Sequence, residues 1–182
     1  MKPAKEYYQT YRADNSLGDL NKRVIDIIAS NPEYQRIFEF GCGTGKNLAP
    51  LHALQKVTFG LDTSPLNVMA SHFTNGLPYV MLGDEYFLGH LYKFDLAFTV
   101  SVLDHIEDVE SIINNLKRMS QTVILAESDH HDPSIYYWNH DYKAHNFKKM
   151  DFTWSGNDGF NYNIWVWGKG DLQNMDVDDD LG

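Results

Sequence analysis

The sequence predicts an α/β protein: a doubly wound, mainly parallel seven-stranded sheet with helices on both faces and a C-terminal antiparallel hairpin. Three observations predict it. Five short apolar runs alternate with segments of helical periodicity. The first three of these runs end at glycine or aspartate, as strands feeding tight turns do. The last third changes character, with strict alternation and an Asp158-Gly159 hairpin signal.

The elements follow in order. Asp19 is placed to cap a helix whose Leu20, Val24, Ile27 and Ile28 share one face. Asn31-Pro32 ends it, because proline pushes the preceding residue out of the helical region. Arg36 to Phe40 reads as a buried strand stopping at Gly41-Cys-Gly-Thr-Gly45, and Leu48, Leu51 and Leu54 then recur at helical spacing. Val57 to Leu61 is a second strand ending at Asp62, and Ser64-Pro65 starts a helix continued by Leu66, Met69 and Phe73. Pro78 to Leu82 is a third strand, before Gly83-Asp84, and Phe94 to Val100 a fourth. Glu107 to Met119 is an amphipathic helix, Thr122 to Ala126 a fifth strand, and Tyr142 to Met150 a further expected helix. Asp151 to Ser155 and Asn161 to Trp167 form the hairpin. The expected division is residues 1–18 as an N-terminal segment able to act as a lid, 19–170 as the folded domain and 171–182 as a solvated acidic tail.

Composition narrows the function. A chain of 182 residues, 43% hydrophobic and 22% charged, fits one folded domain and argues against wholesale disorder. The formal net charge is 15 − 25 = −10, which argues against a general grip on nucleic acid. The single cysteine, Cys42, excludes an internal disulfide and a multi-cysteine zinc site. No apolar run approaches the ~18–20 residues of a membrane span, and the first residues lack a secretory apolar stretch. The expected location is therefore cytoplasmic. Asp129-His-His-Asp132 offers metal-ligand types, but clustering alone makes no metal geometry, and no metal is expected.

The glycine loop sits where an open α/β sheet binds ligands, at the carboxyl end of its first strand. It fails as a P-loop, because Gly41 precedes Gly45-Lys46 by one residue too few and Asn47 replaces the hydroxyl. It fits a dinucleotide fingerprint poorly, since Lys46 stands where the third glycine belongs. As it stands the motif is Glu39-Phe-Gly41-Cys-Gly43-Thr-Gly45, followed by Asp62, Asp84 and Phe94-Asp-Leu-Ala-Phe-Thr-Val-Ser-Val-Leu-Asp-His105-Ile. In these motifs and their order the chain resembles the class I, Rossmann-like, S-adenosylmethionine-dependent methyltransferases over roughly residues 20 to 168.

The resemblance implies S-adenosyl-L-methionine as cofactor and S-adenosyl-L-homocysteine as product. It sets Asp62 on the ribose hydroxyls and Asp84 on the adenine amino group, and leaves Glu39 to orient the loop or the ligand's ammonium through water. Gly41 and Gly43 would let the loop approach the ligand. Cys42, Asn47, Thr63, Glu85 and Ser101 are placed beside the cofactor by the same resemblance, and Tyr11 on an N-terminal lid. Two carboxylates near the loop suit a sulfonium with an ammonium group and would repel a pyrophosphate. Plainer readings stand beside these: Asp62 as a helix cap, Asp84 as a turn aspartate, Glu39 as an acid tied to loop amides, Cys42 as a filler.

Methyl transfer is an in-line displacement in which the protein chiefly positions the partners. His105 is the candidate base for an acceptor that carries a proton, or else a structural histidine ordering its loop. His130, His131, Tyr137 and Trp138 are expected to wall the acceptor site. The absence of an added substrate domain favours a small-molecule acceptor, or a protein partner that completes the site. A non-catalytic binding module with the same fold is the alternative, and a nicotinamide oxidoreductase is disfavoured by the glycine spacing.

Overall fold

The computed structural model describes residues 16–91, 93–129, 138–156 and 160–168. In chain order these form α1 (Asp19–Ser30), β1 (Arg36–Phe40), α2 (Leu48–Ala53), β2 (Val57–Asp62), α3 (Pro65–Phe73) and β3 (Val80–Leu82). A 3₁₀ segment (Glu85–His90), β4 (Phe94–Val100) and a 3₁₀ turn (Leu103–His105) follow. α4 (Glu110–Met119), β5 (Ser120–Asp129), β6 (Lys148–Ser155) and β7 (Asn161–Gly168) complete the order. The strands make one seven-stranded sheet in the order β3-β2-β1-β4-β5-β7-β6. β1 to β5 pair in parallel, and β7 lies antiparallel between β5 and β6. The winding reverses between β1 and β4, which opens a crevice at their carboxyl ends.

Both faces of the sheet are covered, so its central strands are apolar nearly throughout. One core joins Val24, Ile27 and Ile28 of α1 and Leu48 and Leu51 of α2 to Leu96, Phe98 and Ile124 of the sheet. The other joins Ile112, Ile113 and Leu116 of α4 to Phe38, Ala97, Val123 and Leu125. The Phe94-Asp95 dipeptide has a physical reason. Asp95 Oδ2 accepts the main-chain N–H groups of Gln35 (3.0 Å) and Arg36 (2.7 Å), tying the start of β4 to the entry of β1.

Several boundaries differ from the sequence expectation. Gly18, not Asp19, precedes α1: its carbonyl accepts Lys22 N and its N–H donates to Asn21 Oδ1 (3.2 Å). β3 begins at Val80 rather than Pro78, and α4 at Glu110 rather than Glu107, where Asp108 Oδ1 accepts Glu110 N. Ser64 caps α3 as expected, but Leu66, Met69 and Phe73 face outward, Phe73 being 84% exposed. Asn67 and Ser71 take the inward side.

The expected helix from Tyr142 to Met150 is absent. His145 N and Phe147 N both return to the Tyr142 carbonyl, Asn146 takes φ +59°, and the chain passes directly into β6. A tight turn, not a helix, brings the buried Tyr142 and Phe147 rings to 6.4 Å. The Asp158-Gly159 signal lies outside the described residues, yet β6 and β7 pair as the hairpin it implied. Among the described residues no helix is long and apolar enough to cross a membrane.

Replacing Asp95 by alanine leaves two exposed amides at the β1 entry to water, and a loss of about 0.5–1.5 kcal/mol is expected. Urea denaturation checks it; an unchanged midpoint would remove Asp95 from this role.

Candidate active site

β1 delivers the chain to Gly41 at φ +69°, and a Cβ there would lie 2.5 Å from Val102 Cγ2. Val102 follows β4, so this glycine lets the two loops touch where the winding reverses. A Cβ on Gly45 would stand 2.2 Å from Leu77 Cδ1, with φ at +78°. The third glycine therefore serves close packing on the approach to β3, which accounts for its departure from dinucleotide spacing. Cys42 turns its thiol into the core against Gly60, where an added Cβ would lie 2.6 Å from Sγ. Burial, with Glu39 and Asp62 nearby, pushes that thiol's pKa up, and the Cys42 N–H and carbonyl are bonded to Leu61 and Gly45. Its side chain fills the space beside Gly60.

Asp62 joins three elements. Its Oδ2 accepts Gly43 N (2.8 Å), and its Oδ1 accepts Ser64 N (2.8 Å) and Asn67 Nδ2 (3.2 Å). One carboxylate thus holds the glycine loop and the start of α3 together. A carboxylate has about four acceptor positions, so capacity for one more donor is left. Thr63, half-buried, lies between these contacts.

Glu39 is 1% exposed. Its Oε1 accepts Asn47 Nδ2 at 2.6 Å, and Asn47 Oδ1 accepts Asn21 Nδ2 of α1 at 2.9 Å. Its Oε2 is buried and has no partner among the described residues. Desolvation outweighs the Asn47 bond and the Lys46 charge, and raises the carboxyl pKa to about 8. Asn47 therefore holds the acid. Sequence reasoning missed Asn21 and Asn67, whose side chains hold the two acids in place; nothing in their spacing marks them.

Gly83 N donates to the Asp62 carbonyl (3.0 Å), which brings Asp84 beside the end of β2. Asp84 Oδ1 accepts Tyr86 N (3.2 Å) and starts the 3₁₀ segment, with Glu85 half-buried as its first residue. Ser101 adopts φ +55°, a left-handed conformation rare outside glycine, and its N–H donates to the Ala126 carbonyl (2.9 Å). His105 closes the 3₁₀ turn, its side chain 27% exposed and its Nε2 3.6 Å from Asp104 Oδ1. Trp138 N donates to the Asp104 carbonyl (2.8 Å), and His140 Nε2 lies 3.0 Å from the Leu103 carbonyl. The stretch around Trp138 thus docks on the His105 turn. Tyr11, His130, His131 and Tyr137 lie outside the described residues.

Glycines, two acids and a histidine turn thus gather at the carboxyl ends of β1 to β4. Over residues 8–162 the sequence matches the family described as a methyltransferase domain. The chain belongs to that family. It is a methyltransferase, as the motif resemblance implied. Solved structures share the fold. Magnesium protoporphyrin IX methyltransferase from Synechocystis PCC 6803 with bound SAH is 17% identical, with a TM-score of 0.64 over 85% of this chain and 89% of that one. The N-terminal domain of EvdMO1 with SAH bound is 14% identical, with a TM-score of 0.66 over 85% and 82%. A TehB-like methyltransferase from Corynebacterium glutamicum ATCC 13032 Kitasato is 17% identical, with a TM-score of 0.62 over 83% and 88%. No curated protein matches the sequence.

The raised Glu39 pKa has a stability consequence. Between the ordinary 4.5 and about 8 the folded chain holds a proton that the unfolded chain has released, so stability falls as pH rises through that window. The contribution is roughly 3–5 kcal/mol across the whole window. Glu39→Gln is expected to remove it, so the variant gains on wild type as pH climbs. Parallel pH–stability curves by chemical denaturation would contradict this.

Proposed function

We propose that this methyltransferase moves a methyl group onto a small-molecule acceptor by direct in-line displacement in the crevice between β1 and β4. The observation that carries the reading is the buried Glu39 oxygen without a donor, close to the glycine loop that Asp62 holds. An acceptor atom so placed suits a cationic ligand better than a phosphate. Bound there, S-adenosylmethionine supplies a methyl group on a positively charged sulfur.

The chain's own residues do the rest. Gly41 and Gly43 keep the loop free of side chains, so a ligand can lie against its backbone. Asp62 accepts the ribose hydroxyls with its spare acceptor position, and Asp84 faces the adenine edge. Glu39 takes the ammonium, directly or through one water, and Asn47 keeps its carboxyl aimed. Thr63, Glu85 and Ser101 line the same crevice. The two neighbours that hold SAH support this placement by shared fold.

On the acceptor side His105 is partly exposed beside Asp104. A neutral imidazole there can take the proton that an amine, hydroxyl or thiol sheds as it attacks. Asp104 Oδ1, 3.6 Å from the ring nitrogen, orients the imidazole. Trp138 walls the turn. The net charge of −10 favours neutral or cationic acceptors on approach.

Calorimetry with S-adenosylhomocysteine, run in buffers of different ionisation enthalpy, tests the cofactor half. Binding is expected to release protons below about pH 8, because the ligand ammonium draws Glu39 into its ionised form. Asp62→Ala is expected to weaken binding by ~1–3 kcal/mol. No binding by the folded wild type, or equal affinity in Asp62→Ala, would overturn the site. The acceptor half is tested by turnover of labelled S-adenosylmethionine over a panel of small amines, phenols and thiols. His105→Ala should lose activity by ~10²-fold or more while keeping its affinity for S-adenosylhomocysteine; full activity would leave His105 structural.

A further inference from the structure

We propose that Glu127 is the positioning residue of the acceptor site: it fixes the turn that carries His105 through two main-chain amides, and its protonation state reaches His105 through Asp104. This rests on reading the His105 turn as the acceptor site.

Glu127 stands near the carboxyl end of β5 and is fully buried, where the strand pattern calls for an apolar residue. Its Oε2 accepts Val102 N (2.9 Å) and Leu103 N (3.1 Å), and its Oε1 accepts the Thr99 hydroxyl (2.6 Å). One side chain on β5 therefore grips the end of β4 and the first two residues leading into the 3₁₀ turn. That turn is built on the same two residues. His105 N donates to the Val102 carbonyl (3.1 Å) and Ile106 N to the Leu103 carbonyl (3.0 Å), so fixing Val102 and Leu103 fixes the His105 backbone.

An amide side chain would keep an oxygen on the two main-chain amides and turn its NH2 to the Thr99 hydroxyl, without the cost of burying an acid. The three donors to Glu127 are all neutral, and although their bonds favour the charged form, burial outweighs them. A carboxyl matters if its proton matters. The neighbouring titratable group is Asp104 of the turn, buried, with Oδ2 accepting the Ser128 hydroxyl and Oδ1 facing His105. From the stretch before β6, Tyr142 lies within the electrostatic reach of both acids, and His140 within that of Asp104. On β7 the register partner is the uncharged Asn163. Burial, reinforced by Asp104, keeps Glu127 protonated up to about pH 8. Its ionisation adds a negative charge within electrostatic reach of Asp104, whose Oδ1 lies 3.6 Å from the His105 Nε2, and the His105 ring feels the change.

The test uses the full chain with ¹³C-labelled histidine, assigning the ring resonances of His105 by its loss in His105→Asn. Followed from about pH 5 to about pH 10, the ring is expected to show its own titration and a second, smaller step tracking Glu127. Glu127→Gln should abolish the smaller step and leave the amide resonances of Val102 and Leu103 in place. Glu127→Leu removes the acceptor and should lower hydrogen-exchange protection of those two amides by about tenfold or more. A second step that persists in Glu127→Gln would overturn the proposal, as would unchanged protection in a folded Glu127→Leu. If the leucine variant does not fold, the glutamine comparison decides. Affinity for S-adenosylhomocysteine is measured on the same samples. A wild type that does not bind it overturns the cofactor reading and leaves the resonance test standing.

Discussion

A carboxyl taken out of water without a cation beside it must keep its proton or wait for a cation to arrive. Glu39 is in that position, and much of the site can be traced to how it is held. β1 carries it to the reversal point of the sheet. Asn47, at the start of α2, takes one oxygen, and Asn21 of α1 steadies Asn47, so two helices spend polar side chains on aiming one acid. The other oxygen has no such partner among the described residues. The fold bears the cost of a buried acid at the spot where the crevice opens, and a ligand bearing an ammonium offsets it. Affinity and stability are thereby linked through one proton.

The sheet repeats the device on the other side of its reversal. Glu39 at the end of β1 and Glu127 at the end of β5 are both buried, both raised to about 8 by desolvation first, and both bonded to neutral donors. Between them run the glycine loop and the loop after β4, which touch at Gly41 and Val102. Asp62 differs. Half-buried and supplied with three N–H donors, it ties the loop to α3, so a ribose contact would use its remaining acceptor position on a side chain that also supports the backbone.

Much of this was legible in the residues, and the reasons divide by physics. Strand runs, the glycine loop and the acids near the ends of β1 and β2 and after β3 are local patterns, and local patterns survive folding. The helix expected at Tyr142 to Met150 failed because the spacing of Tyr142, Phe147 and Met150 is equally compatible with rings meeting across a turn; Asn146 in the left-handed region decides between them. The apolar stripe on α3 was read correctly as helical, but its inward face is polar because Asn67 must reach Asp62. Asn21 and Thr99 leave no mark in sequence, since their role is set by partners 26 and 28 residues away. Glu127 did leave one: an acid two residues after Leu125 on the same buried face of a strand.

A crystal structure of the chain with S-adenosylhomocysteine tests the central claim most directly. The account predicts the ligand in the crevice between β1 and β4, its ammonium bonded to Glu39 Oε2 directly or through one water, and a ribose hydroxyl on Asp62. A ligand seated elsewhere, or one whose ammonium leaves Glu39 Oε2 without a donor, would contradict it.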